Sequence, residues 1–462
     1  MAESGGARRA DMETIVSLCK RRGFVFPSAE IYGGFANTYD YGPLGVELRR
    51  QIRAAWWQAM VQEREDVVGI EAAIITNPRV YVASGHLEHF SDPLVDCRAC
   101  KSRFRADDLP GATVQGAGAR MTVVLDLETA CPNCGTRGDF TDSRQFNLMF
   151  ETNVGPVRDD SSVAYLRPET AQGMFVNFEN VLNSTRRKLP FGVAQNGKSF
   201  RNEITPGNFI FRMLEFEQME MEYFCYPEQG REMYEYWRAE RMRWYVERLG
   251  IRSSRLRFYE HPQAALSHYS SGTTDVEYEF PFGWGELEGI AYRTDFDLRR
   301  HSEQSGRQLS YFDDERKEHV VPHVVEPAAG VDRIMAVLLL DAYDEEQDDR
   351  GETRVVLRFK PELAPVQVAI LPLSRNEKLV PTARDVWTRL RPHFRTQYDD
   401  AQSIGRRYRR QDEIGTPLCV TVDFQTVEED QAVTIRDRDS MEQVRVGLDA
   451  LRSRLEDLLG GR

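Results

Sequence analysis

Charged side chains recur among apolar and aromatic ones along residues 198–224, KSFRNEITPGNFIFRMLEFEQMEMEYF. The segment Thr205-Pro206-Gly207-Asn208 has the composition of a turn, so the stretch predicts two strands joined as a hairpin. Successive strand residues point to opposite faces, which puts Arg201 and Glu203 on one face of the first strand. The return strand carries a row of even-numbered residues on one face: Arg212, Phe216, Gln218, Glu220 and Glu222.

The residue types in this row indicate a chemistry. Guanidinium groups bind phosphates, a flat aromatic ring stacks on a base, and carboxylates bind cations or an amine. The alternative is a solvated hairpin face held by surface ion pairs. The phenylalanine inside the charged row favours a nucleotide site.

Two further segments place charges where helices begin. In YLRPETAQGMFVNF, Pro168 predicts the start of a helix with Glu169 in its first turn. Residues 319–343 predict a strand, a turn at residues 328–330, and an apolar helix with Arg333 in its first turn. A buried helix tolerates an arginine only at its end or with a partner. The alternative is an arginine that reaches solvent from the helix end.

Four of the seven cysteines form two CxxC pairs, Cys97 with Cys100 and Cys131 with Cys134, separated by 30 residues. This spacing is typical of ribbon-like sites in which four thiolates hold Zn²⁺ tetrahedrally. Because the protein would fill all four positions, the ion would be structural. The alternative is four reduced cysteines in a loop without metal. The cysteine pattern suits a reducing compartment better than a disulfide scaffold.

Composition sets the remaining bounds. The 462 residues, 41% hydrophobic and 29% charged, indicate a soluble globular protein of roughly two to four domains. The first residues lack the apolar core of a secretory signal, and no apolar run approaches the ~18 residues that span a bilayer. The net charge of −13 argues weakly against nucleic acid as a partner. A local basic cluster nevertheless fits contact with phosphates or bases, the alternative being a solvated helix face: Arg406, Arg407, Arg409 and Arg410.

Hydrophobic periodicity predicts the main elements. A helix is expected from Asp11 to about Arg22, and a longer one from about Gly45 to Arg64, with Val46 and Trp56 near its packed side. The acidic run at 344–349 is interpreted as a solvated linker. After it, strands alternate with helices up to a final helix from Ser440 to Leu459. This order predicts a small, largely parallel α/β domain of ~100 residues.

Together these segments resemble the three signature motifs of class II aminoacyl-tRNA synthetases. The first motif corresponds to the long helix and the following strand that ends at Pro78. The second corresponds to the hairpin with Phe200-Arg201-Asn202-Glu203, and the third to Gly330-Val331-Asp332-Arg333. Within the class, the sequence is most similar to the glycyl-tRNA synthetases of the homodimeric type, from about Asp11 to about Leu451. The stretches that carry this similarity are YDYGPLGVELRR, SGHLEHFSDPLVDC, QFNLMFETNVGP, YLRPETAQG, SFRNEITPGNF, GELEGIAYRTDFDL and IGRRYRRQDEIGTP.

The resemblance implies an α+β fold. A class II catalytic domain, built on an antiparallel sheet with flanking helices, would cover residues 11–350, with the CxxC-containing, zinc-ribbon-like insertion at about 91–145. An α/β anticodon-binding domain would cover 355–462, and residues 1–10 are expected to be a flexible tail. The resemblance further implies a cytoplasmic homodimer formed through the first motif, without membrane association. The protein would use ATP and Mg²⁺ to convert glycine to glycyl-adenylate, and would then transfer glycine to the 3′ end of tRNA(Gly).

The resemblance also implies roles for single residues. Arg201 would contact the α-phosphate and the attacking carboxylate, Arg212 the γ-phosphate, and Arg333 the adenine and phosphates. Phe216 would stack on the adenine, and Glu203 would accept a hydrogen bond from its amino group. Glu286 would serve the Mg²⁺–ATP complex, with Glu215 as a second candidate. The four arginines of the basic cluster would contact tRNA.

Glycine has no side chain to bind, so its ammonium and carboxylate must be recognised. By resemblance, Glu169, Glu220 and Glu326 would surround the ammonium, with Arg293 nearby. The family usually has a serine at the position of Ala328, so one hydrogen bond near the bound glycine is missing here.

Two rival interpretations remain at this stage. One is another enzyme of the same class, such as a prolyl or threonyl-tRNA synthetase, against which the three carboxylates argue. The other is a catalytically inactive paralogue that binds nucleic acid. Such proteins lose the arginines that bind phosphate, and Arg201, Arg212 and Arg333 are all present.

Overall fold

The structure is a computed structural model that describes residues 10–115, 122–159, 161–205, 207–262, 266, 270–347 and 351–460. The tail expected at 1–10 lies outside these ranges except for its last residue. Pro206 of the expected turn and the last two residues of the acidic run also lie outside them. Within the described ranges, every helix is too short or too polar to cross a bilayer.

Helices flank the central sheet and also occur in the C-terminal part of the chain. The α-helices are α1 (Met12–Arg22), α2 (Pro43–Trp57), α3 (Pro78–Ser84), α4 (His86–His89), α5 (Ala171–Val176), α6 (Phe178–Thr185), α7 (Gly230–Arg243), α8 (Phe296–Ser305), α9 (Val331–Ala342), α10 (Leu379–Leu390), α11 (Ile404–Ile414) and α12 (Leu451–Gly460). The first helix confirms its prediction. Asp11 caps it by accepting a hydrogen bond from the Thr14 amide at 2.8 Å, and Gly23 ends it at a φ of 78°.

The strands form one large sheet and several small ones. They are β1 (Val25–Pro27), β2 (Tyr39–Tyr41), β3 (Val67–Gly69), β4 (Ile75–Thr76), β5 (Ser91–Asp96), β6 (Arg103–Arg105), β7 (Thr113–Gln115), β8 (Thr122–Val124), β9 (Arg144–Asn147), β10 (Phe150–Asn153), β11 (Val163–Leu166), β12 (Phe191–Phe200), β13 (Glu215–Cys225), β14 (Leu256–Glu260), β15 (Gly272–Phe280), β16 (Gly283–Thr294), β17 (Tyr311–Asp313), β18 (Glu318–Val320), β19 (His323–Gly330), β20 (Tyr343–Gln347), β21 (Thr353–Leu357), β22 (Val368–Pro372), β23 (Thr396–Tyr398), β24 (Leu418–Val422), β25 (Ala432–Asp437) and β26 (Gln443–Gly447).

The large sheet has seven strands in the order β14-β15-β16-β19-β13-β12-β3. All neighbours are antiparallel except β12 and β3. The apolar helix α9 belongs to the main hydrophobic core together with residues of α1, α2 and the sheet. The antiparallel sheet with flanking helices is the fold expected of the catalytic part.

The two strands of the hairpin at 198–224 are shorter than predicted. Strand β12 ends at Phe200 and β13 begins at Glu215, and the two pair from Phe191↔Phe224 to Phe200↔Glu215. Arg201, Glu203 and Arg212 therefore lie in the connecting loop and not in strands. Asn208 and Phe209, with φ of 56° and 60°, turn this loop back on itself, so strand alternation does not govern the directions of its side chains.

The first motif also differs in detail. Helix α2 begins two residues earlier than expected, at Pro43, and its regular part ends at Trp57, followed by one wider turn to Gln62. Trp56 is buried as predicted, but Val46 is 42% exposed, so its assignment to the packed side was wrong. The expected strand is split into β3 and β4, and Pro78 starts helix α3 instead of ending a strand.

Two helix starts are displaced relative to the sequence predictions. Helix α5 begins at Ala171, so Glu169 precedes the helix and does not lie in its first turn. Strand β19 continues through Gly330 and passes directly into α9, so the turn expected at residues 328–330 is wrong. The pairing of β19 with both β13 and β16 accounts for this, because it keeps Ala328 and Ala329 extended. Arg333 lies in the first turn of α9, as predicted.

The CxxC pairs lie in a small β-structure inserted between α4 and β10. Strands β6, β5 and β9 form one sheet, and β7 pairs with β8. A separate small core holds it together, formed by Val95, Ala106, Leu109 and Val123.

The acidic run is not a solvated linker. Its described part forms β20, which pairs with β21 from Tyr343↔Leu357 to Gln347↔Thr353. Arg358 binds both Asp344 and Glu346, at 2.9 and 2.8 Å, so the acidic side chains are held by arginines.

The C-terminal sheet has the order β23-β22-β24-β25-β26. Its first three strands are parallel, as predicted, whereas β25 and β26 are antiparallel additions. The predicted final helix from Ser440 is wrong in its first half. Val444 and Val446 pair with β25 as part of β26, and the helix begins only at Leu451.

Candidate active site

A cavity of about 320 Å³ opens on one face of the seven-stranded sheet. Nine of the residues predicted to bind ATP or glycine line it: Glu169, Arg201, Glu203, Arg212, Phe216, Glu220, Glu286, Glu326 and Arg333. Ala328 also lines it. The tenth predicted residue, Arg293, is 1% exposed and contacts Glu326 from the protein interior. Residues far apart in the chain therefore meet at one site.

Arg201 is fixed before any ligand arrives. Its Nε donates to the carbonyl of Pro168 at 3.0 Å, and its guanidinium carbon lies 5.3 Å from the Phe90 ring and 5.2 Å from the Phe216 ring. Among the described residues it has no carboxylate partner within ion-pair distance. The terminal nitrogens of a charged, held guanidinium are thus available to an anion in the cavity.

Arg333 is also held in place by the protein. Its Nε donates to the carbonyl of Phe211 at 3.1 Å, and its Nη1 donates to the backbone carbonyl and to the carboxylate of Glu286, both at 3.0 Å. Burial acts to raise the pKa of Glu286, but the ion pair with Arg333 outweighs it and holds the pKa below its usual range. Glu286 is therefore ionised at neutral pH.

Glu203 and Arg212 enter the cavity from the loop between β12 and β13. Arg212 is placed by two backbone hydrogen bonds with Gly207, each of 3.2 Å, which close the loop around Asn208. The base of the CxxC insertion is nearby, since Asn202 donates from its amide to the carbonyl of Leu148 at 2.8 Å. The loop thus connects the cavity with the insertion.

Three carboxylates also line the cavity. Thr170 donates to Glu220 through its amide, at 3.0 Å, and through its hydroxyl. Arg293 donates to Glu326 at 2.8 Å. Glu169 accepts a hydrogen bond from Gln172 at 2.9 Å and lies 3.3 Å from Nε2 of His86.

The electrostatics of the three carboxylates differ. Burial acts to raise the pKa of Glu169, but His86 and Arg293 hold it below its usual range. Burial, reinforced by the charge of Glu169, raises the pKa of Glu220 to about 7. Burial also raises the pKa of Glu326 to about 8, against the attraction of Arg293 and with repulsion from Glu220. A cation bound beside this cluster would favour the ionised forms of Glu220 and Glu326.

Sequence reasoning missed several residues at this site. Asp275 and His261 line the cavity and contact each other at 2.8 Å, and burial together with the charge of Glu286 raises the pKa of Asp275 to about 7. His86 contacts Glu169 and Asp297 binds Arg293, although sequence reasoning assigned no role to either. The only signal in the sequence was a row of charged residues, in TDVEYEF (residues 274–280) for Asp275 and in the hairpin for Glu222. Glu222 shared a face with Glu220 there but was assigned no role.

Glu215 lies outside the cavity. As strand alternation predicts, its side chain is on the other face of β13 from Phe216, where it binds Lys198. The next residue on that face, Glu217, is buried and binds Arg49 at 2.7 Å and Arg53 at 2.8 Å. The sequence-based suggestion that Glu215 could serve the metal is therefore not supported by its position.

The four CxxC sulfurs converge. The distance between Sγ atoms is 3.8 Å for Cys97 and Cys134 and 3.7 Å for Cys100 and Cys131, and all four lie within 4.8 Å of one another. Four sulfurs at about 2.3 Å from a tetrahedral Zn²⁺ are about 3.8 Å apart. The amides of Lys101 and Gly135 donate to the carbonyls of Cys97 and Cys131, both at 2.9 Å, so the two CxxC turns have the same form. The residues present thus fit a structural zinc ion.

The four C-terminal arginines, which were predicted as a basic cluster that contacts tRNA, are not all accessible. Arg407 is fully buried, and it donates to the backbone carbonyls of Pro372, Leu373 and Asp399. Arg410 binds Asp399 at 2.6 Å.

Arg406 is exposed. Arg409 is partly buried, donates to the carbonyl of Thr353 at 3.3 Å and lies 3.6 Å from Glu352. Residues 407 and 410 are three apart and lie on the packed side of α11.

Comparison with known proteins agrees with this geometry. Residues 150–342 match the family model described as the tRNA synthetase class II core domain (G, H, P, S and T), and residues 367–458 match the anticodon binding domain. A solved prolyl-tRNA synthetase from Cryptosporidium parvum, complexed with halofuginone and AMPPNP, superposes over 99% of this chain and 78% of its own with a TM-score of 0.65. At 15% identity, that likeness establishes the fold alone.

Several sequences are much more similar. A glycine–tRNA ligase of Thermobifida fusca (strain YX) is 55% identical over 98% of this chain and 99% of its own. Those of Streptomyces coelicolor (strain ATCC BAA-471 / A3(2) / M145) and Cutibacterium acnes (strain DSM 16379 / KPA171202) are 55% and 54% identical over 97% and 99% of this chain. The chain therefore belongs to the glycine–tRNA ligase family.

Proposed function

We propose that the chain activates glycine with ATP, forming glycyl-adenylate and pyrophosphate, and then transfers glycine to the 3′ end of tRNA(Gly). The observation that carries this proposal is the composition of one cavity. Held guanidiniums and a buried carboxylate cluster line the same cavity. An anionic nucleotide and a small ammonium compound could therefore meet there.

The arginines are assigned to ATP. In the activation step a carboxylate attacks the α-phosphate, and negative charge develops on the phosphoryl oxygens and on pyrophosphate. Fixed positive groups stabilise such charge because they need no reorganisation during the reaction. The anchored guanidinium of Arg201 suits the α-phosphate, and Arg212, in the β12–β13 loop, suits the γ-phosphate. Arg333 and Phe216 are assigned to the adenine, and Glu203 to its amino group.

The carboxylates are assigned to glycine. Glu169, Glu220 and Glu326 would surround its ammonium, and Arg293 would hold Glu326 in place through their 2.8 Å hydrogen bond. Glu169 is ionised at neutral pH because its pKa is held low, whereas Glu220 and Glu326 release protons when the ammonium binds. Ala328 keeps the pocket small without adding a hydrogen-bond partner.

Two metals belong to the proposal. Mg²⁺ would neutralise charge on the ATP phosphates, with the ionised Glu286 as its candidate protein ligand and Asp275 beside it. Zn²⁺ would hold the two CxxC turns of the insertion together, in agreement with the sulfur spacing.

The larger assignments follow the family. A catalytic domain over 11–350 would present the cavity, and an anticodon-binding domain over 355–462 would contact tRNA, with Arg406 as the exposed member of the basic cluster. The protein would be cytoplasmic and would form a homodimer through the first motif. Exposed apolar side chains support the dimer: Ile75 in that motif is 53% exposed, and Ile31 and Tyr32 ahead of it are each 87% exposed.

Glycine-dependent exchange of pyrophosphate into ATP tests the assignment of the pocket. We expect exchange with glycine and not with proline or threonine, and we expect Glu220→Gln to raise the KM for glycine much more than the KM for ATP. Glu215→Gln is the matched control, since it changes a carboxylate on the outer face of the same strand. Exchange driven by proline or threonine but not glycine would refute the function, and equal effects of the two variants would refute the pocket.

A further inference from the structure

Glu222 lies on β13 two residues beyond Glu220 and on the same face. It is 0% exposed. Its carboxylate forms a cluster with those of Glu220 and Glu326, in which one oxygen from each lies within 4.8 Å of the others. Glu220 and Glu326 line the cavity, and Glu222 supports them from the interior.

Neither oxygen of Glu222 has a hydrogen-bond partner among the described residues. A buried carboxylate without a donor is costly, and native proteins rarely leave one so. Packing alone therefore does not explain why a carboxyl group, that of Glu222, occupies this position beside Glu326.

The strand register shows why the pairing of Glu222 with Glu326 is unusual. Glu220 pairs with Ala328 and Tyr223 pairs with Val325, so Glu222 lies opposite Glu326 across β13 and β19. Two like charges directly opposite each other destabilise a sheet. Two ionised carboxylates are also both acceptors and cannot hydrogen-bond to each other. A proton on one of them removes the repulsion and supplies the missing donor.

The surrounding groups decide which carboxyl holds that proton. The charged or titratable groups that face the pair come from β13, β19, β16, α8 and the segment before α5: Glu220, Glu326, Arg293, Asp297 and Glu169. Arg293 donates to Glu326 at 2.8 Å and to both oxygens of Asp297 at 2.8 and 2.9 Å. Glu326 therefore has a hydrogen-bonded cationic partner that favours its ionised form, whereas Arg293 acts on Glu222 only through its charge, without a hydrogen bond among the described residues.

We propose that Glu222 is a positioning residue for glycine, a neutral carboxylic acid that donates a hydrogen bond to Glu326 and holds its ionised carboxylate toward the substrate ammonium. This inference rests on the proposed assignment of Glu326 to the glycine pocket. Burial, together with the charge of Glu326, raises the pKa of Glu222 well above its usual range, in agreement with a neutral side chain.

The test compares Glu222→Gln, which keeps a hydrogen-bond donor, with Glu222→Met, which has similar size and no donor. The KM for glycine, the KM for ATP and kcat are measured by pyrophosphate exchange from pH 6 to pH 9. In the native protein the KM for glycine falls as pH rises through 7 to 8, because Glu220 and Glu326 must ionise to bind the ammonium.

Glu222→Gln is expected to keep this pH profile and a KM for glycine within about threefold of native. Glu222→Met is expected to raise the KM for glycine about tenfold or more at pH 7, as for loss of a hydrogen bond to a charged group, with the KM for ATP little changed. Its fall in KM should move to higher pH, because Glu326 without the donor holds its own proton more tightly.

Other results would overturn the inference. If both variants move the fall in KM to lower pH, Glu222 is ionised in the native protein. If both raise the KM equally, or neither changes it, the donated hydrogen bond has no role. If Glu222→Met does not fold, Glu222→Gln is the test. An unchanged pH dependence of its KM for glycine agrees with the inference, and a shifted one contradicts it.

Glu326→Gln separates this inference from the proposed pocket. If Glu326→Gln leaves the KM for glycine unchanged, the assignment of the pocket is wrong. If Glu326→Gln raises that KM and Glu222→Met does not, the pocket stands and only the role of Glu222 fails.

Discussion

Replacement of Arg201 by alanine is the sharpest test of the nucleotide end of the cavity. The side chain is held by the Pro168 carbonyl at 3.0 Å and lies between the rings of Phe90 and Phe216. Its terminal nitrogens point to no carboxylate partner among the described residues. Arginine in this setting is preorganised for an anion, so its contribution should appear in the transition state.

The expected loss can be bounded. Removal of one preorganised donor to a developing oxyanion costs about 2.7–4 kcal/mol, which corresponds to about 10²–10³ in kcat. Arg201→Lys keeps the charge but loses the Nε hydrogen bond and the planar stacking between the rings. We therefore expect the lysine variant to lose about 10- to 100-fold, less than the alanine variant, because part of the electrostatic stabilisation remains.

The assay is glycine-dependent pyrophosphate exchange, with tRNA binding and thermal unfolding measured on the same samples. Arg231→Ala is the matched control, since Arg231 is 69% exposed at its side chain on the surface of α7. We expect the control to behave as native, and Arg201→Ala to bind tRNA with nearly native affinity.

A kcat for Arg201→Ala within tenfold of native, in a folded protein, would refute the role given to Arg201. Loss of tRNA binding to the same degree as loss of exchange would also contradict it, because the guanidinium is placed in the cavity and not on the C-terminal domain.

Two further predictions concern the rest of the chain. Elemental analysis should find about one zinc per chain. The double variant Cys100→Ser, Cys134→Ser should lose the zinc and make the insertion sensitive to proteolysis. An insertion that stays resistant to proteolysis without metal would contradict the zinc site. Arg407→Ala should lower the unfolding temperature of the C-terminal domain because three backbone carbonyls lose their buried donor, whereas Arg406→Ala should weaken tRNA binding without that change. Equal effects of the two arginine variants on stability would contradict the division of α11 into a packed and an accessible side.

Much of the site could be predicted because the chemistry is local in sequence. Each motif carries its own functional group, as Arg201 does after β12 and Arg333 does at the start of α9. The elements around them are strongly periodic or carry clear caps, as Asp11 and Gly23 do for α1. The prediction of the antiparallel catalytic sheet rested on resemblance to a family, and the fold agrees with it.

The errors occurred where tertiary contacts override local pattern. Residues 344–347 have the composition of a linker, but Arg358 and β21 make them a strand. Residues 443–447 continue a helical pattern, but pairing with β25 makes them β26. Arg407 looks like its neighbours in sequence, and only the packing of α11 buries it.

By itself the sequence identified the candidate groups: the four cysteines by their spacing, and the arginines and carboxylates by residue type together with resemblance to a family. Only the tertiary structure decided their relations, because the hairpin, the segment before α5, and strands β16 and β19 bring their side chains to one cavity from distant positions in the chain. It also decided that Glu222 faces Glu326. Strand alternation puts Glu222 beside Glu220 on one face, but the opposing carboxylate comes from a strand about a hundred residues later, and no local rule predicts that register.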